Sequence, residues 1–100
     1  MSTSSFRAAF RTWFGLTDAE TEVLGVLYDA KGELRTAPTM AIEAGIKLGS
    51  LMMLISRLRQ VMDEEAIDCV PGRGYRLTEV GIGECRSALW TIGEELRRAS

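Results

Sequence analysis

The stretch from Leu48 to Leu77, LGSLMMLISRLRQVMDEEAIDCVPGRGYRL, decides the fold. Its first half carries apolar residues at helical spacing, which form one stripe: Leu48, Leu51, Leu54, Ile55, Leu58 and Met62. Its second half holds two runs typical of short strands, AIDCV and YRLT, which are joined by PGRG at residues 71–74. Because Pro-Gly suits the central pair of a type II turn, the two runs predict a β hairpin behind a long helix.

Two further helices are predicted between residues 16 and 47. Thr17 and Glu20 stand at capping-box spacing before an apolar stripe, so a helix begins there and ends near Ala30. Pro38 suits the first turn of a short helix that Gly45 closes. Because only a tight, glycine-containing turn separates this short helix from the long one, the pair is typical of a helix-turn-helix.

A helix is also predicted at each end of the chain. Aromatic residues recur at helical spacing over residues 6–14, and apolar residues lie on one face over residues 80–98. We therefore predict one domain over residues 1–100 with a core at 16–78. It is mainly α with a small β wing, namely a winged helix-turn-helix with extra N- and C-terminal helices.

Composition excludes several classes of function. The net charge is −2, whereas a protein that coats nucleic acid needs a strong basic excess; site-specific binding stays open. The chain has no histidine, no CxxC pair and no GxxxxGK[ST] loop, so we expect no enzyme, no cofactor and no metal site. The two cysteines are expected to be reduced and structural, with Cys69 pointing into the hairpin sheet. No apolar run is long enough to span a membrane and no secretory signal is apparent, which favours a cytoplasmic protein.

The strings ISRLRQVM and IDCVPGRGYRL resemble the effector domain of OmpR/PhoB-type response regulators, in which a helix-turn-helix precedes a wing. The matching residues are Ile55, Ser56, Arg57, Leu58, Arg59, Gly72, Gly74, Tyr75, Arg76 and Leu77. LTDAETEVLGVL resembles the opening of that family's first helix, so the likeness covers about residues 16–78. Unlike the response regulators, these 100 residues contain no receiver domain, and Met52 and Met53 occupy positions that are often polar.

This resemblance implies a transcription regulator that binds double-stranded DNA at specific sequences. Residues 48–62 would lie in the major groove, and residues 67–78 would touch the adjacent minor groove or backbone. The expected DNA contacts are Lys47, Ser50, Met53, Ser56, Arg57, Arg59, Gln60, Arg73 and Arg76. Arg57, with Ser56 or Met53, would read bases, and Lys47, Arg59 and Arg76 would meet phosphates.

Each of these roles has a plainer alternative. Arg57 and Arg59 also stand at helical spacing from Asp63 or Glu64, with which they could pair instead. Ser50 suits a helix cap, and one of the two adjacent methionines suits the core. Exposed methionines also suit protein contacts, so a protein-interaction module that binds another regulatory protein is the alternative function.

The terminal helices carry more apolar surface than a small domain needs to cover. They either pack against each other or pair with a second copy in a homodimer, which would present two recognition helices to a palindromic site. The residues expected at such an interface are Phe6, Phe10, Trp13, Leu89, Trp90 and Leu96.

Overall fold

The computed structural model describes residues 3–99, with side chains from Phe6 onward, as a mainly helical chain with one small antiparallel sheet. Its elements in chain order are α1 (Thr3–Phe14), α2 (Asp18–Asp29), α3 (Ala37–Ala44), α4 (Leu48–Val61), β1 (Ile67–Val70), β2 (Gly74–Leu77) and α5 (Glu79–Ala99). The predicted mainly α composition with a small β hairpin is confirmed. Several bounds differ from the prediction by one to three residues, since α1 begins at Thr3, α4 ends at Val61 and α5 extends over Glu79–Ala99.

Local capping signals explain where α2 and α3 begin. The Thr17 hydroxyl accepts from the Glu20 amide at 3.3 Å, and the Glu20 carboxylate accepts from the Thr17 amide at 2.9 Å. This is the predicted capping box, which satisfies two amides that the first helical turn leaves without partners. The Thr36 hydroxyl caps α3 in the same way, with Pro38 in its first turn and Gly45 at its end.

Helices α3 and α4 are joined by residues 45–47 and bend by 89° relative to each other. Four side chains on one face of α4 are at most 7% exposed and pack against α2 and α3: Leu51, Leu54, Ile55 and Leu58. Burying a leucine contributes about 1.5–3 kcal/mol, so this face anchors α4. Leu48 was predicted on the same stripe but is 53% exposed, because it lies at the edge of the stripe in the first turn.

The hairpin pairs Ile67 with Leu77 and Val70 with Gly74 at its two ends. The Arg73 amide donates to the Val70 carbonyl at 2.9 Å and Gly72 has a φ of 74°, as the predicted type II turn requires. Tyr75 also exchanges two backbone hydrogen bonds, of 2.8 and 2.9 Å, with Arg35 in the segment before α3.

Gly74 makes this close approach of the two segments feasible. Its φ is 149°, and a Cβ atom at this position would lie 2.0 Å from the Arg35 carbonyl oxygen. Any other residue would therefore collide with the Arg35 backbone, and the hairpin could not keep its hydrogen bonds to that segment.

Helix α1 packs on α2 and α5 of its own chain. The Phe10 side chain is fully buried, and its ring meets that of Tyr28 edge to face at a centroid distance of 5.2 Å. Along α5 the side chain of Cys85 is buried, but beyond Ala88 every residue up to Ala99 is at least partly exposed. Over residues 3–99 no single helix is long and apolar enough to cross a membrane. Among these residues only α3 and α4 taken together have the length and composition of a membrane span, and the two helices are bent by 89°.

Candidate nucleic-acid interface

The outer side of α4 near its N-terminus presents a small exposed surface, which we call the reading face: Gly49, Met52, Met53 and Ser56. Met52 is 72% exposed and Met53 is 62% exposed. The alternative that one of these methionines completes the core is therefore wrong. At 3.6 residues per turn Gly49 and Ser56 lie along the middle of this face, with one methionine on each side.

Three cations near the reading face have no carboxylate partner within 4.0 Å in the part of the chain that the structure describes. Lys47 is the N-cap residue of α4, Arg59 lies one turn beyond Ser56, and Arg73 stands at the hairpin tip. The side chain of Lys47 makes no capping hydrogen bond. Ser50 is half-buried and lies inside the first turn, where its amide donates to the Lys47 carbonyl at 3.0 Å, so the expectation that Ser50 caps the helix is wrong.

Arg57 has a partner that sequence spacing did not reveal. Its Nε lies 3.4 Å from Oε2 of Glu20, 37 residues earlier in the chain, so the expected pairing with Asp63 or Glu64 is wrong. The Glu20 side chain is 8% exposed, whereas that of Arg57 is 60% exposed. The guanidinium therefore ties α4 to the start of α2 and still presents N–H groups to solvent.

Glu20 is held in its charged form by this arrangement. The Thr17 backbone amide, the Thr17 hydroxyl and Arg57 all lower the pKa of Glu20, and the amide contributes most. Burial acts in the opposite direction and does not overcome the three favourable interactions.

Arg76 points outward from β2, as predicted, but it is paired across the hairpin. Its Nε and Nη2 each lie 3.0 Å from Oδ2 of Asp68 on the opposite strand. Its charge is thereby partly neutralised, whereas Arg73 at the tip remains exposed. Of the predicted phosphate contacts, Lys47 and Arg59 therefore offer more accessible charge than Arg76.

A shallow groove of about 550 Å³ separates α4 from the hairpin. Its walls are formed by five residues of α4, one that follows α4 and two of the hairpin: Met52, Ile55, Ser56, Arg59, Gln60, Glu64, Cys69 and Tyr75. Met52 also borders a second depression, which runs to Arg73 at the hairpin tip. The structure thus joins the two elements predicted to contact DNA into one continuous surface.

Cys69 lies on the exposed side of this groove, so the prediction that it points into the hairpin sheet is wrong. On the other strand Tyr75 is 8% exposed, and its burial raises the pKa of its phenol. The second cysteine, Cys85, is buried as expected for a structural thiol. Burial, and secondarily the neighbouring Glu84 carboxylate, raise the pKa of Cys85 to about 12.

The two ends of α4 differ in charge. Beyond its C-terminus lie three exposed carboxylates, Asp63, Glu64 and Glu65. The Asp63 carboxylate accepts from the Glu65 amide at 2.9 Å, and the Asp63 amide donates to Glu84 at 2.8 Å. Lys47 is therefore the cation at the start of α4, whereas Arg59 in the last turn lies beside the carboxylate of Glu64.

The six residues predicted for a dimer interface fall into two groups. Phe10 is fully buried in the core of its own chain, and Phe6 and Leu89 pack partly against that core. Three others are exposed, namely Trp13 at 44%, Trp90 at 67% and Leu96 at 67%. A single folded chain therefore leaves only these three free for a second copy.

Comparison of the chain with protein-family models, with curated proteins and with solved structures gave no match. Among the described residues no group of three or more Cys, Asp or Glu side chains is arranged to hold a metal ion. The exposed surface of α4 and the hairpin is therefore the candidate functional site.

Proposed function

We propose that this chain is a winged helix-turn-helix protein that binds double-stranded DNA at specific sequences and regulates transcription. The observation that carries the proposal is the joint surface of α4 and the hairpin beside the exposed reading face. It holds Lys47, Arg59 and Arg73, which have no carboxylate partner within 4.0 Å among the described residues. The 89° bend between α3 and α4 and the short turn at residues 45–47 support it, since DNA-binding helix pairs cross at about 90–120° over turns of similar length.

The dimensions of α4 suit a major groove. Its 14 residues span about 21 Å, and an α-helix with its side chains is about 10–12 Å wide, close to the groove width of about 12 Å. Lys47 and the free amides of the first turn would bind one phosphate, since helix N-termini attract anions. Arg59 would bind a second phosphate, and Arg73 would reach the adjacent minor groove or backbone.

The remaining predicted contacts have more restricted roles. Ser56, Met53 and the outward N–H groups of Arg57 would face base edges. Gln60 lies one turn after Ser56 and would meet the edge of the site. Ser50 is half-buried and Arg76 forms an ion pair with Asp68. We therefore expect both to contribute less to DNA affinity than Arg59 and Arg73.

The test compares two double variants with the same loss of charge. Arg59→Ala with Arg73→Ala removes two proposed phosphate contacts, and Arg86→Ala with Arg98→Ala removes two exposed arginines from α5. Binding is measured by fluorescence anisotropy at several salt concentrations, on a duplex selected by the native protein from a random pool. The first variant should lower the slope of log affinity on log salt by about 1.8, and the second should leave the slope unchanged.

Two results would contradict DNA binding. One is the absence of any enriched sequence together with affinity that does not depend on salt. The other is an equal loss of affinity in both double variants, which would show that net charge alone and not the α4–hairpin surface is responsible.

We further propose that two copies pair through the exposed residues of the terminal helices, Trp13, Trp90 and Leu96. A two-fold dimer would present two α4 helices to a palindromic site. Sedimentation analysis of Trp90→Ser with Leu96→Ser should show a shift towards monomer, with unchanged circular dichroism. A native protein that sediments as a monomer across the micromolar range would contradict this part of the proposal.

The second candidate function is a protein-interaction module on the same scaffold. The observation that favours it is the exposed apolar group on α3 and α4, which consists of Ile42, Leu48, Met52 and Met53. Such groups often mark protein contacts. Under this alternative a Met52→Ser and Met53→Ser variant loses partner binding, whereas the Arg59→Ala and Arg73→Ala variant retains it.

A further inference from the structure

The reading face has a chemical character that restricts which base edges it suits. Its two largest side chains, Met52 and Met53, offer methylene groups and a thioether that accepts hydrogen bonds only weakly. Ser56 supplies a single hydroxyl, and Gly49 supplies no side chain. The exposed leucine at position 48 extends the same apolar surface by one turn.

Base pairs differ in what they present to such a surface in the major groove. Guanine presents two acceptors, adenine an acceptor and a donor, cytosine a donor, and thymine an acceptor beside a methyl group. Pressing a methionine against the first three would remove water from polar groups without replacing their hydrogen bonds. The thymine methyl group is the one apolar feature of the groove, so contact with it costs no hydrogen bond.

The backbone of α4 allows this contact to be close. The position where a Cβ atom of Gly49 would stand has no other atom within 4 Å, so the helix surface is open between the two methionines. Methionine is unbranched and flexible, so both side chains adapt to the position of a methyl group on either side of Gly49.

The charges around the reading face indicate that its occupant is DNA and not an apolar protein surface. Lys47 stands at the start of α4, and Arg59 and Arg73 border the two depressions beside Met52; none of the three has a carboxylate partner within 4.0 Å among residues 3–99. Two carboxylates follow α4: Glu64 borders the same groove as Met52 and Arg59, and Glu65 borders a second depression beside Arg59. An apolar surface with three exposed cations near it suits a groove that carries methyl groups between phosphate backbones.

We propose that Met52 and Met53 recognise thymine through its 5-methyl group, so that the bases facing the N-terminal half of α4 are thymines. This inference rests on the proposed DNA binding and specifies its substrate. The methyl group contributes about as much as one buried methylene, so the loss of one contact should weaken binding about four-fold.

The experiment removes the methyl group and nothing else. A duplex selected by the native protein from a random pool is remade with deoxyuridine in place of thymidine at one position at a time. Base pairing and the O4 acceptor remain. We expect a loss of about four-fold at one or two thymines of each half-site and no change at the others.

Protein variants assign the effect to the methionines. In a Met52→Ala and Met53→Ala variant the ratio of affinities for the thymine and uracil duplexes should fall to about one, since the groups that contact the methyl are gone. Val80→Ala, which trims an exposed apolar residue on α5, is the matched control and should keep the full ratio. Thermal unfolding of each variant confirms that the fold is intact.

The outcomes separate this inference from the proposed function. Salt-dependent binding to an enriched sequence, with equal affinity for thymine and uracil at every position, would overturn methyl recognition and leave DNA binding in place. A thymine–uracil difference that persists in the Met52→Ala and Met53→Ala variant would overturn the assignment to these residues. A failure to enrich any sequence would overturn both proposals.

Discussion

Two sides of α4 carry apolar side chains, yet one side is buried and the other is exposed. On the inner side Leu51 and Leu58 are 1% and 0% exposed, whereas on the outer side Met52 and Met53 are 72% and 62% exposed. Hydrophobicity alone does not separate them. What differs is orientation, since Leu51 and Leu58 face the core and Met52 and Met53 face away from it. Side-chain shape does not decide, because Met62, next to the end of α4, is buried as well.

The two sides of this helix therefore contribute unequally to stability. The inner side contributes burial that holds α4 in place. The outer side contributes little to folding, because side chains that remain mostly in water gain little on folding. The outer side is therefore available for the proposed contact with DNA.

The largest expected effect tests the inner side. Leu58→Ala should lower the free energy of unfolding by about 2–5 kcal/mol, because it opens a cavity at a site with no solvent exposure. Met52→Ala, the matched change on the outer side, should alter it by less than about 0.5 kcal/mol. Urea denaturation followed by circular dichroism measures both values. Equal losses would show that the two sides of α4 contribute equally to stability.

A smaller effect concerns the capping box of α2, where the Glu20 carboxylate also contacts Arg57 of α4. Thr17→Ala should cost about 1 kcal/mol, since it removes the hydroxyl that caps α2 and helps to hold Glu20. Glu20 has a lowered pKa in the folded state, so its contribution is complete above the ordinary value of 4.5 and is lost as the pH falls through the lower, folded-state pKa.

The matched variant for this pH dependence is Glu20→Gln, which keeps a hydrogen-bond acceptor for the Thr17 amide but carries no charge. Thermal unfolding between pH 7 and pH 3 should show a weaker decline of stability on acidification in this variant than in the native chain. A decline of the same steepness would mean that the charge of Glu20 does not contribute to stability.

The smallest effect on stability concerns the two thiols. Cys69 lies exposed beside the outer side of α4, whereas Cys85 is buried and has its pKa raised to about 12. Because the thiolate is the reactive form, Ellman's reagent at pH 8 should modify one thiol rapidly in the folded chain and the second only after denaturation. Rapid reaction of both thiols would contradict the burial of Cys85. Cys69→Ser should abolish the fast phase with little change in thermal midpoint.

Features that depend on neighbouring residues were predictable from the sequence. The Thr17–Glu20 capping box and the Pro71–Gly72 turn rest on groups at most three residues apart, so spacing alone identifies them. The helix–hairpin order of residues 48–77 was predictable for the same reason. The function was predicted from resemblance and remains a prediction.

Features that depend on the packing of distant segments were not predictable. The partner of Arg57 is Glu20, 37 residues away, and no periodicity relates the two. The exposure of Cys69 and of both methionines depends on which side of each element meets the core, and either side of α4 was apolar enough to be buried. The backbone pairing of Arg35 with Tyr75 does not depend on the identity of their side chains. The one residue in the sequence that reflects it is Gly74, which leaves room for the Arg35 backbone.

The pair of hydrogen bonds between Arg35 and Tyr75 has a consequence for the timescale on which the hairpin moves. An isolated two-stranded hairpin opens readily in water, but this one is tied to a segment that precedes α3 in the same domain. Its opening therefore requires disruption of the domain, and the amide protons of Arg35 and Tyr75 should exchange with solvent only as slowly as the domain unfolds. The hairpin and α4 would then have a fixed relative position before a ligand binds. Association would therefore not require a preceding conformational change.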